Sequence, residues 1–278
     1  MSGAQHGRIQ RRFAKLRDEN RAGLITYFMA GDPNGATFEK LLAELPAAGA
    51  DLIEVGMPFS DPMADGPSIQ EAGFRSLRAG TKLRLVLGMV QRFREHDQDT
   101  PIILMGYFNP IHRYGVDRFV VDAKEAGIDA LIIVDLPPEE DDELCLQANH
   151  VGLDFIHLAA PTTTDDRLEA VLEHGTGFVY YVAITGVTGT RSATSGDISA
   201  AVARLKAKTD MPIAVGFGVK TPEQARDIAR SADAVVVGSS LVNELARHLD
   251  KAGKADATLI PSVLALVRDL AAGIRGAR

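Results

Sequence analysis

Short, wholly apolar segments recur at regular intervals along the chain, and this recurrence constrains the fold more than any other feature. Eight of them are rich in Ile, Val and Leu and apolar on both faces, which is typical of parallel strands covered by helices. The predicted strands are Leu24–Met29, Leu52–Val55, Ile102–Tyr107, Ala130–Val134, Asp154–Leu158, Phe178–Ala183, Pro212–Gly216 and Ala234–Val237. The sequence therefore predicts an α/β fold with a parallel sheet.

Helical segments separate the predicted strands. Thr221 is a good N-cap residue and Pro222 suits the first turn of the helix that follows it. The chain of 278 residues gives about 35 residues to each of eight strand–helix units, which is typical of a (β/α)8 barrel. An open doubly wound sheet is the alternative, but it needs fewer strands or a second domain to use this length.

One more amphipathic helix precedes the first strand. Its apolar residues Ile9, Phe13 and Leu16 share one helical face, so we expect this helix to close one end of the barrel. The sequence has no linker and no low-complexity tract. It therefore predicts a single-domain (β/α)8 TIM barrel with an extra N-terminal helix, over residues 1–278.

The composition excludes several classes of function. Lys and Arg total 30 and Asp and Glu total 37, so the net charge of −7 disfavours a nucleic-acid-binding protein. The single cysteine, Cys145, excludes an intrachain disulfide and fits a reducing compartment. No apolar run reaches the ~18 residues of a membrane helix, and the first residues lack the apolar core of a secretory signal. We therefore expect a cytoplasmic protein.

Glu54 lies inside the second predicted strand, where an unpaired ionised carboxylate is costly. A barrel places its active site at the carboxyl ends of its strands. Two interpretations follow. Glu54 is either a buried residue paired with an Arg or a backbone donor, or a general acid or base whose pKa is raised by burial.

Asp65 lies in the loop that follows, among prolines and glycines. By itself it is equally compatible with an Asx turn or a helix cap. Together with Glu54 at the same barrel mouth, it suggests a pair of carboxyl groups that hold different protonation states.

Two further loops are candidate parts of the site. Residues 185–196 form a long loop of small and polar residues, typical either of a flexible surface loop or of a lid that closes over substrate. Gly216 and Gly218 end the seventh predicted strand, and Gly238 and Ser239 end the eighth and precede a helix. Backbone N–H groups of glycine loops and of a helix N-terminus predict a phosphate site there.

Other chemistries find no support in the sequence. The seven histidines have no metal-type spacing, so we expect no protein metal site. His157 is interpreted as a core histidine. No predicted strand contains a lysine, which disfavours a Schiff-base aldolase, and no dinucleotide fingerprint follows the first strand.

The segment Glu54–Gln70 closely resembles the signature of the tryptophan synthase alpha chain family. Further landmarks occur in the family's order, at Gly31–Pro33, Met105–Pro110, Asp135–Pro137, Ala160–Thr163, Gly186–Gly189 and Gly216–Gly218. The resemblance implies a (β/α)8 barrel that cleaves indole-3-glycerol phosphate, by retro-aldol chemistry, into indole and glyceraldehyde 3-phosphate.

The resemblance also implies roles for individual residues. Glu54 matches the general acid and base, and Asp65 matches the carboxylate that meets the indole N–H. The residues matching substrate-binding positions are Tyr27, Met105, Ile132, Tyr180, the lid residue Thr188, and Gly189, Gly218, Gly238 and Ser239 for the phosphate. Tyr27 stands where the family commonly has phenylalanine, and Ala183 and Ile184 replace more polar residues before the lid.

A protein partner is implied as well. The family's alpha chain works with a beta chain in an αββα heterotetramer, in which pyridoxal phosphate (PLP) belongs to the beta chain, so we expect no cofactor here. Pro58 and the segment Tyr107–Pro110 match positions that face that partner. The remaining alternatives are another phosphate-binding barrel, either an isomerase or epimerase or the synthase of indoleglycerol phosphate, and a non-catalytic barrel that only activates a partner. The synthase would show a strand-end lysine, and a non-catalytic barrel would lose Glu54 or Asp65.

Overall fold

Strands and helices alternate along the chain. In the computed structural model, which describes residues 7–183, 194–216 and 218–278, the strands are β1 (Gly23–Met29), β2 (Leu52–Gly56), β3 (Ile102–Gly106), β4 (Ala130–Ile133), β5 (Asp154–Phe155), β6 (Leu158–Ala159), β7 (Val179–Val182), β8 (Ile213–Gly216) and β9 (Ala234–Val237). The helices are α1 (Arg8–Asp18), α2 (Gly35–Ala48), α3 (Pro67–Arg78), α4 (Leu83–Arg94), α5 (Phe108–Tyr114), α6 (Val116–Ala126), α7 (Asp142–His150), α8 (Asp165–Glu173), α9 (Ser195–Lys206), α10 (Pro222–Ala229), α11 (Ser239–Arg247) and α12 (Leu259–Arg275).

The described strands form one parallel sheet in the order β5-β4-β3-β2-β1-β9-β8-β7-β6. β5 and β6 are the two ends of this order and are also neighbours in sequence, so the sheet curls round on itself. Seven of the eight predicted strands are found within one residue of their predicted ends. The TIM-barrel fold class is confirmed.

The prediction of a single fifth strand over Asp154–Leu158 is wrong, because the structure has two short strands there, β5 and β6. The chain bonds to β4 through Asp154 and Phe155 and to β7 through Leu158 and Ala159. Thr176 occupies both backbone groups of Phe155, since its hydroxyl accepts from the Phe155 N–H and its own N–H donates to the Phe155 carbonyl. Pairing with β7 therefore begins only at His157, whose carbonyl accepts from Tyr180.

α1 closes the amino-terminal end of the barrel, as predicted. Its buried face, Ile9, Phe13 and Leu16, packs with the apolar cluster inside the barrel, and the rings of Phe13 and Phe178 meet edge to face at 5.6 Å. Polar side chains at and after α1 bind acidic residues that begin or immediately precede strands. These pairs are Arg8 with Asp129, Gln10 with Asp154 and Arg21 with Asp51. The candidate site residues lie at the opposite, carboxyl-terminal end.

Alternation along the strands divides the apolar residues between two clusters, because successive side chains point to opposite faces of a sheet. The inner cluster includes Ile25, Leu52, Ile103 and Ala130, and the outer cluster beneath the helices includes their chain neighbours Leu24, Ile53, Ile102 and Leu131. The next inward positions toward the carboxyl ends carry the side chains of the candidate site. No helix in the described ranges combines the length and apolar character of a membrane span.

Candidate active site

A cavity of about 180 Å³ opens at the carboxyl-terminal end of the barrel. It is lined by Tyr27, Glu54, Asp65, Ile69, Met105, Tyr180, Val182, Gly216, Gly218, Val236, Gly238 and Ser239. The strand register explains part of this grouping, since it places Tyr27 beside Glu54 and Val182 beside Gly216. Both predicted carboxyl residues therefore face one cavity.

Eight of the sequence-predicted site residues line this cavity. Ile132 does not: it is fully buried in the inner cluster, beside Met105 in the strand register. Thr188 and Gly189, together with most of the predicted lid, lie outside the described residues, and their roles stay predictions. Sequence reasoning did not single out Ile69, Val182 or Val236 as lining residues, because apolar side chains carry no chemical signal that separates a cavity wall from a core.

Glu54 is fully buried on β2. Within the described ranges, neither oxygen of its carboxyl group has a hydrogen-bond partner. Burial raises the pKa of this group from 4.5 to about 8, because removal from water penalises the charged form. The interpretation of Glu54 as a paired core residue requires a partner that the described residues do not supply. A carboxyl group that holds its proton at neutral pH agrees with these surroundings.

Asp65 is half-buried in the loop between β2 and α3. Burial raises its pKa from 3.8 to about 6, although the nearby Tyr107 hydroxyl acts in the opposite direction. At neutral pH Asp65 is therefore largely ionised while Glu54 is largely protonated. Two carboxyl groups on one cavity thus differ in charge, which is the arrangement needed for one acid and one anion.

The amino-terminal end of α11 forms the other wall of the cavity. Gly238 precedes the helix and Ser239 begins it, while Gly218, with φ of +58°, comes from the loop after β8. The Ser240 hydroxyl donates to the carbonyl of Val219 and joins the two loops. The first N–H groups of a helix lack intrahelical acceptors and attract anions, so this wall can hold a phosphate without Lys or Arg.

A side chain at position 216 would collide with Tyr180, so this position requires glycine. A Cβ atom built on Gly216 would lie 2.6 Å from the Tyr180 hydroxyl oxygen and 2.8 Å from Cε1 of its ring. Gly216→Ala is therefore expected to push this ring across the cavity and to lower kcat/KM about 100-fold. Steady-state kinetics of the cleavage reaction that the resemblance implies measure the loss.

Two further variants test the cause of that loss. Gly88→Ala makes the same change where the nearest atom is the flexible end of Arg92 at 3.4 Å, and it should leave kcat/KM unchanged. Tyr180→Ser in the Gly216→Ala background removes the ring, so it should restore part of the activity. Wild-type kinetics in the Gly216→Ala variant would contradict the clash.

A second cluster lies behind β5 and β6. Asp141, Cys145 and His157 are buried, with one ligand atom from each within 4.8 Å of the others, a grouping that sequence spacing did not reveal. Both ring nitrogens of His157 have protein partners, Val171 O at 2.9 Å and an Asp141 carboxylate oxygen at 2.5 Å. The interpretation of His157 as a satisfied core histidine is confirmed.

Comparisons with known proteins agree with this geometry. The family model described as "Tryptophan synthase alpha chain" matches residues 13–270. The chain belongs to the tryptophan synthase alpha chain family. A crystal structure of tryptophan synthase subunit alpha from Legionella pneumophila str. Paris is 39% identical, with a TM-score of 0.88, over 97% of this chain and 98% of that chain. An open form of tryptophan synthase from M. tuberculosis is 36% identical, with a TM-score of 0.85, over 97% and 99%.

Membership in the tryptophan synthase alpha chain family defines the reaction. The family's enzymes are carbon–carbon lyases of tryptophan biosynthesis that cleave indole-3-glycerol phosphate to indole and glyceraldehyde 3-phosphate. The alpha chain needs no cofactor, and the PLP of tryptophan synthase belongs to the beta chain. The predicted family, fold and reaction are confirmed, and the alternative isomerase, synthase and non-catalytic readings are set aside.

Proposed function

We propose that Glu54 and Asp65 are the catalytic groups with which this chain cleaves indole-3-glycerol phosphate. The observation that carries the proposal is the buried Glu54 carboxyl, which lacks a hydrogen-bond partner among the described residues and faces the same cavity as Asp65. A structural role for Glu54 would require a partner inside the fold. A partner supplied by the substrate accounts for both its burial and its raised pKa.

The reaction begins with a proton transfer in this proposal. Protonated Glu54 gives its proton to C3 of the indole ring, which becomes a cationic indolenine. The ionised Asp65 accepts a hydrogen bond from the indole N–H and stabilises the positive charge that forms there. Burial of Glu54 and partial burial of Asp65 strengthen this interaction, since water screens it less.

Bond cleavage follows. The Glu54 carboxylate, having lost its proton, takes the proton of the side-chain hydroxyl next to the scissile bond. The oxygen forms the aldehyde of glyceraldehyde 3-phosphate, and the electron pair of the carbon–carbon bond flows into the indolenine and restores the indole ring. Glu54 regains its proton, so one turnover leaves the enzyme unchanged.

The remaining cavity walls are proposed to bind substrate. Tyr27, Met105 and Tyr180 would flank the indole, with Ile132 beneath Met105, and Gly218, Gly238 and Ser239 would hold the phosphate together with Gly189. Thr188 would approach Asp65 when the loop of residues 185–196 closes. The phosphate would thereby fix the substrate at one wall while the indole reaches the two carboxyl groups.

The pH dependence of kcat/KM is expected to be bell-shaped, with its maximum near pH 7. Asp65 must be ionised, so activity falls as pH drops through about 6, and Glu54 must be protonated, so activity falls as pH rises through about 8. Indole release from pH 5 to 9.5 at low substrate concentration measures both limbs. A profile that stays flat to pH 9 would contradict the role of Glu54.

The proposed activity is tested with the purified chain and indole-3-glycerol phosphate, with and without a tryptophan synthase beta chain. Indole and glyceraldehyde 3-phosphate should form in equal amounts, faster with the beta chain. Glycerol 3-phosphate, which shares the phosphate and glycerol groups but lacks indole, should inhibit competitively. Failure to release indole under both conditions would refute the proposal.

We further propose that the chain assembles with a beta chain into an αββα heterotetramer in the cytoplasm, and that residues 1–278 form a single domain. The loop between β2 and α3 supports the proposal of a protein partner, because it carries an apolar residue, Met63, that is 75% exposed. Asn109, at the start of α5, is exposed as well. Sedimentation of the chain alone and mixed with the beta chain measures the assembly.

A further inference from the structure

Asp65 lies two residues before α3, at a point where the helix has no side-chain cap. The helix begins at Pro67, and its N-cap residue is Gly66, which has no side chain to bond the first turn. A Cβ atom built on Gly66 would meet no atom within 4 Å, so no neighbour packs against the backbone on that side. The position of Asp65 therefore depends on contacts that other parts of the fold make with the loop.

Gln70, on α3, makes such a contact with the backbone of Asp65. Its side-chain amide nitrogen donates to the carbonyl oxygen of Asp65 at 2.9 Å and to that of Pro62 at 3.3 Å. The Asp65 N–H also donates to the Pro62 carbonyl, at 3.1 Å, and closes the same turn. Among the residues that the structure describes, no other donor bonds to the Asp65 carbonyl. One amide group thus joins both ends of the turn from Pro62 to Asp65.

The helix that carries Gln70 is itself fixed to the end of β1. The Arg75 guanidinium donates to the two carboxylate oxygens of Asp32, at 2.7 Å each, and the Ser76 hydroxyl donates to the Ala30 carbonyl at 2.5 Å. Asp32 and Ser76 are both buried. A bidentate pair between Arg and a carboxylate is strong and has a defined geometry, so α3 provides a fixed support from which Gln70 holds the loop.

A second contact reaches the loop from the segment after β3. The hydroxyl oxygen of Tyr107 accepts a hydrogen bond from the Ala64 N–H at 2.9 Å, and the rings of Tyr107 and Phe59 lie 5.3 Å apart. Tyr107 and Gln70 therefore bond to consecutive residues of the loop, Ala64 and Asp65. Of these two contacts, the one made by Gln70 acts on the backbone of Asp65 itself.

We propose that Gln70 is a positioning residue for the cleavage reaction, whose side-chain amide holds the Asp65 backbone so that the Asp65 carboxylate meets the indole N–H. This inference rests on the role proposed above for Asp65. Gln70 is absent from the residues that line the cavity, although its neighbour Ile69 is among them, so Gln70 acts through Asp65 and not on the substrate. A misplacement of about 1 Å at a reacting group costs up to about 100-fold in rate.

The test is Gln70→Met, which keeps the length of the side chain and removes both donated hydrogen bonds. We expect kcat to fall about 10- to 100-fold with KM changed less than threefold, because the wall proposed to hold the phosphate is untouched. Gln70→Glu keeps the shape and polarity of the side chain, but its ionised carboxylate donates no hydrogen bond at pH 7, so it should lose at least as much. Wild-type kcat in either variant would overturn the proposal.

The matched control is Gln10→Met, which makes the same chemical change at the opposite end of the barrel. Gln10 lies on α1, and its side-chain amide donates to the Asp154 carboxylate at 3.0 Å. This variant should lower the melting temperature about as much as Gln70→Met does, while its kcat stays at the wild-type value. If the two variants lost kcat in proportion to their melting temperatures, Gln70 would act on stability alone and the proposal would be wrong.

An Asp65→Asn background separates this inference from the proposed function. If Asp65→Asn alone retains the wild-type rate, the role of Asp65 fails, and the positioning role fails with it. If Asp65→Asn is impaired and Gln70→Met is not, only the positioning role fails. Where both are impaired, the double variant should lose no more than a further threefold in kcat, because the carboxylate that Gln70 positions is already gone. A full second loss would show that Gln70 acts independently of Asp65 and would refute the inference.

Discussion

Glu54→Gln is expected to lose between about 10²- and 10⁴-fold in kcat while its KM changes little. The amide of glutamine matches the carboxyl group in size but cannot deliver a proton to the indole ring or take one from the substrate hydroxyl. Both proton transfers of the proposed cycle pass through this residue. Single-turnover indole release, with substrate binding followed separately, measures the loss.

The same variant is expected to gain stability. Burial raises the pKa of Glu54 from 4.5 to about 8 in the folded state, so the folded protein binds a proton that the unfolded chain has already released. Wild-type stability therefore falls as pH rises through this window. Glutamine carries no such charge, so Glu54→Gln should gain about 4 kcal/mol relative to wild type between pH 4.5 and 8. Melting temperatures measured at several pH values test this.

Glu39→Gln is the matched control for both readouts. Glu39 is partly exposed on α2, and hydrogen bonds from Arg92 lower its pKa. This variant should keep wild-type turnover and lose up to about 1 kcal/mol of stability, since it weakens a surface ion pair. If Glu54→Gln kept its turnover, or if its stability advantage did not grow with pH, Glu54 would be an ordinary buried side chain.

A loss of activity combined with a gain in stability would identify Glu54 as a residue retained for chemistry. A buried carboxyl group without a partner destabilises the fold, and proteins tolerate such groups where function requires them. The sequence alone already indicated that Glu54 is a functional residue. Glu54 is a charged residue inside an apolar strand, and the register of a parallel barrel then directs it toward the carboxyl-terminal mouth.

Other parts of the molecule could not be predicted in this way. The break between β5 and β6 depends on Thr176, which lies 21 residues after Phe155 and takes over its backbone hydrogen bonds. The apolar pattern of a strand does not reveal that a distant side chain will bond to its backbone. Likewise, Tyr107 follows an apolar strand, and nothing near it in sequence reveals that its hydroxyl accepts a hydrogen bond from the Ala64 N–H in the loop after β2.

The sequence of an apolar strand also does not show which of its side chains line the cavity. Where both faces of a strand are buried, composition does not separate the side chains that point inward from those beneath the helices. Met105 and Leu104 are adjacent and chemically similar, yet Met105 lines the cavity and Leu104 packs in the outer cluster. The family resemblance identified Met105, whereas Val182 and Val236 became visible only when the strand register was known.

Asp65→Asn is expected to reduce kcat by about 10²- to 10³-fold, with a smaller effect on KM. Asparagine still accepts a hydrogen bond from the indole N–H through its amide oxygen, so binding of the uncharged indole survives. It carries no negative charge, however, and the cationic indolenine would form without a counter-charge. The loss should therefore fall on the chemical step, and single-turnover measurements should show it before product release.

The same variant tests the assignment of the acid limb. If Asp65 is the group whose pKa lies at about 6, its removal should abolish the fall of kcat/KM below that pH, apart from the titration of the substrate phosphate itself. Asp61→Asn is the matched control, because Asp61 lies four residues earlier in the same loop, is exposed, and its carboxylate accepts a local hydrogen bond from the Ser60 hydroxyl. That control should keep both the rate and the acid limb. If the limb persisted unchanged in Asp65→Asn, another group would control it, and the charge that stabilises the indolenine would have to come from elsewhere in the site.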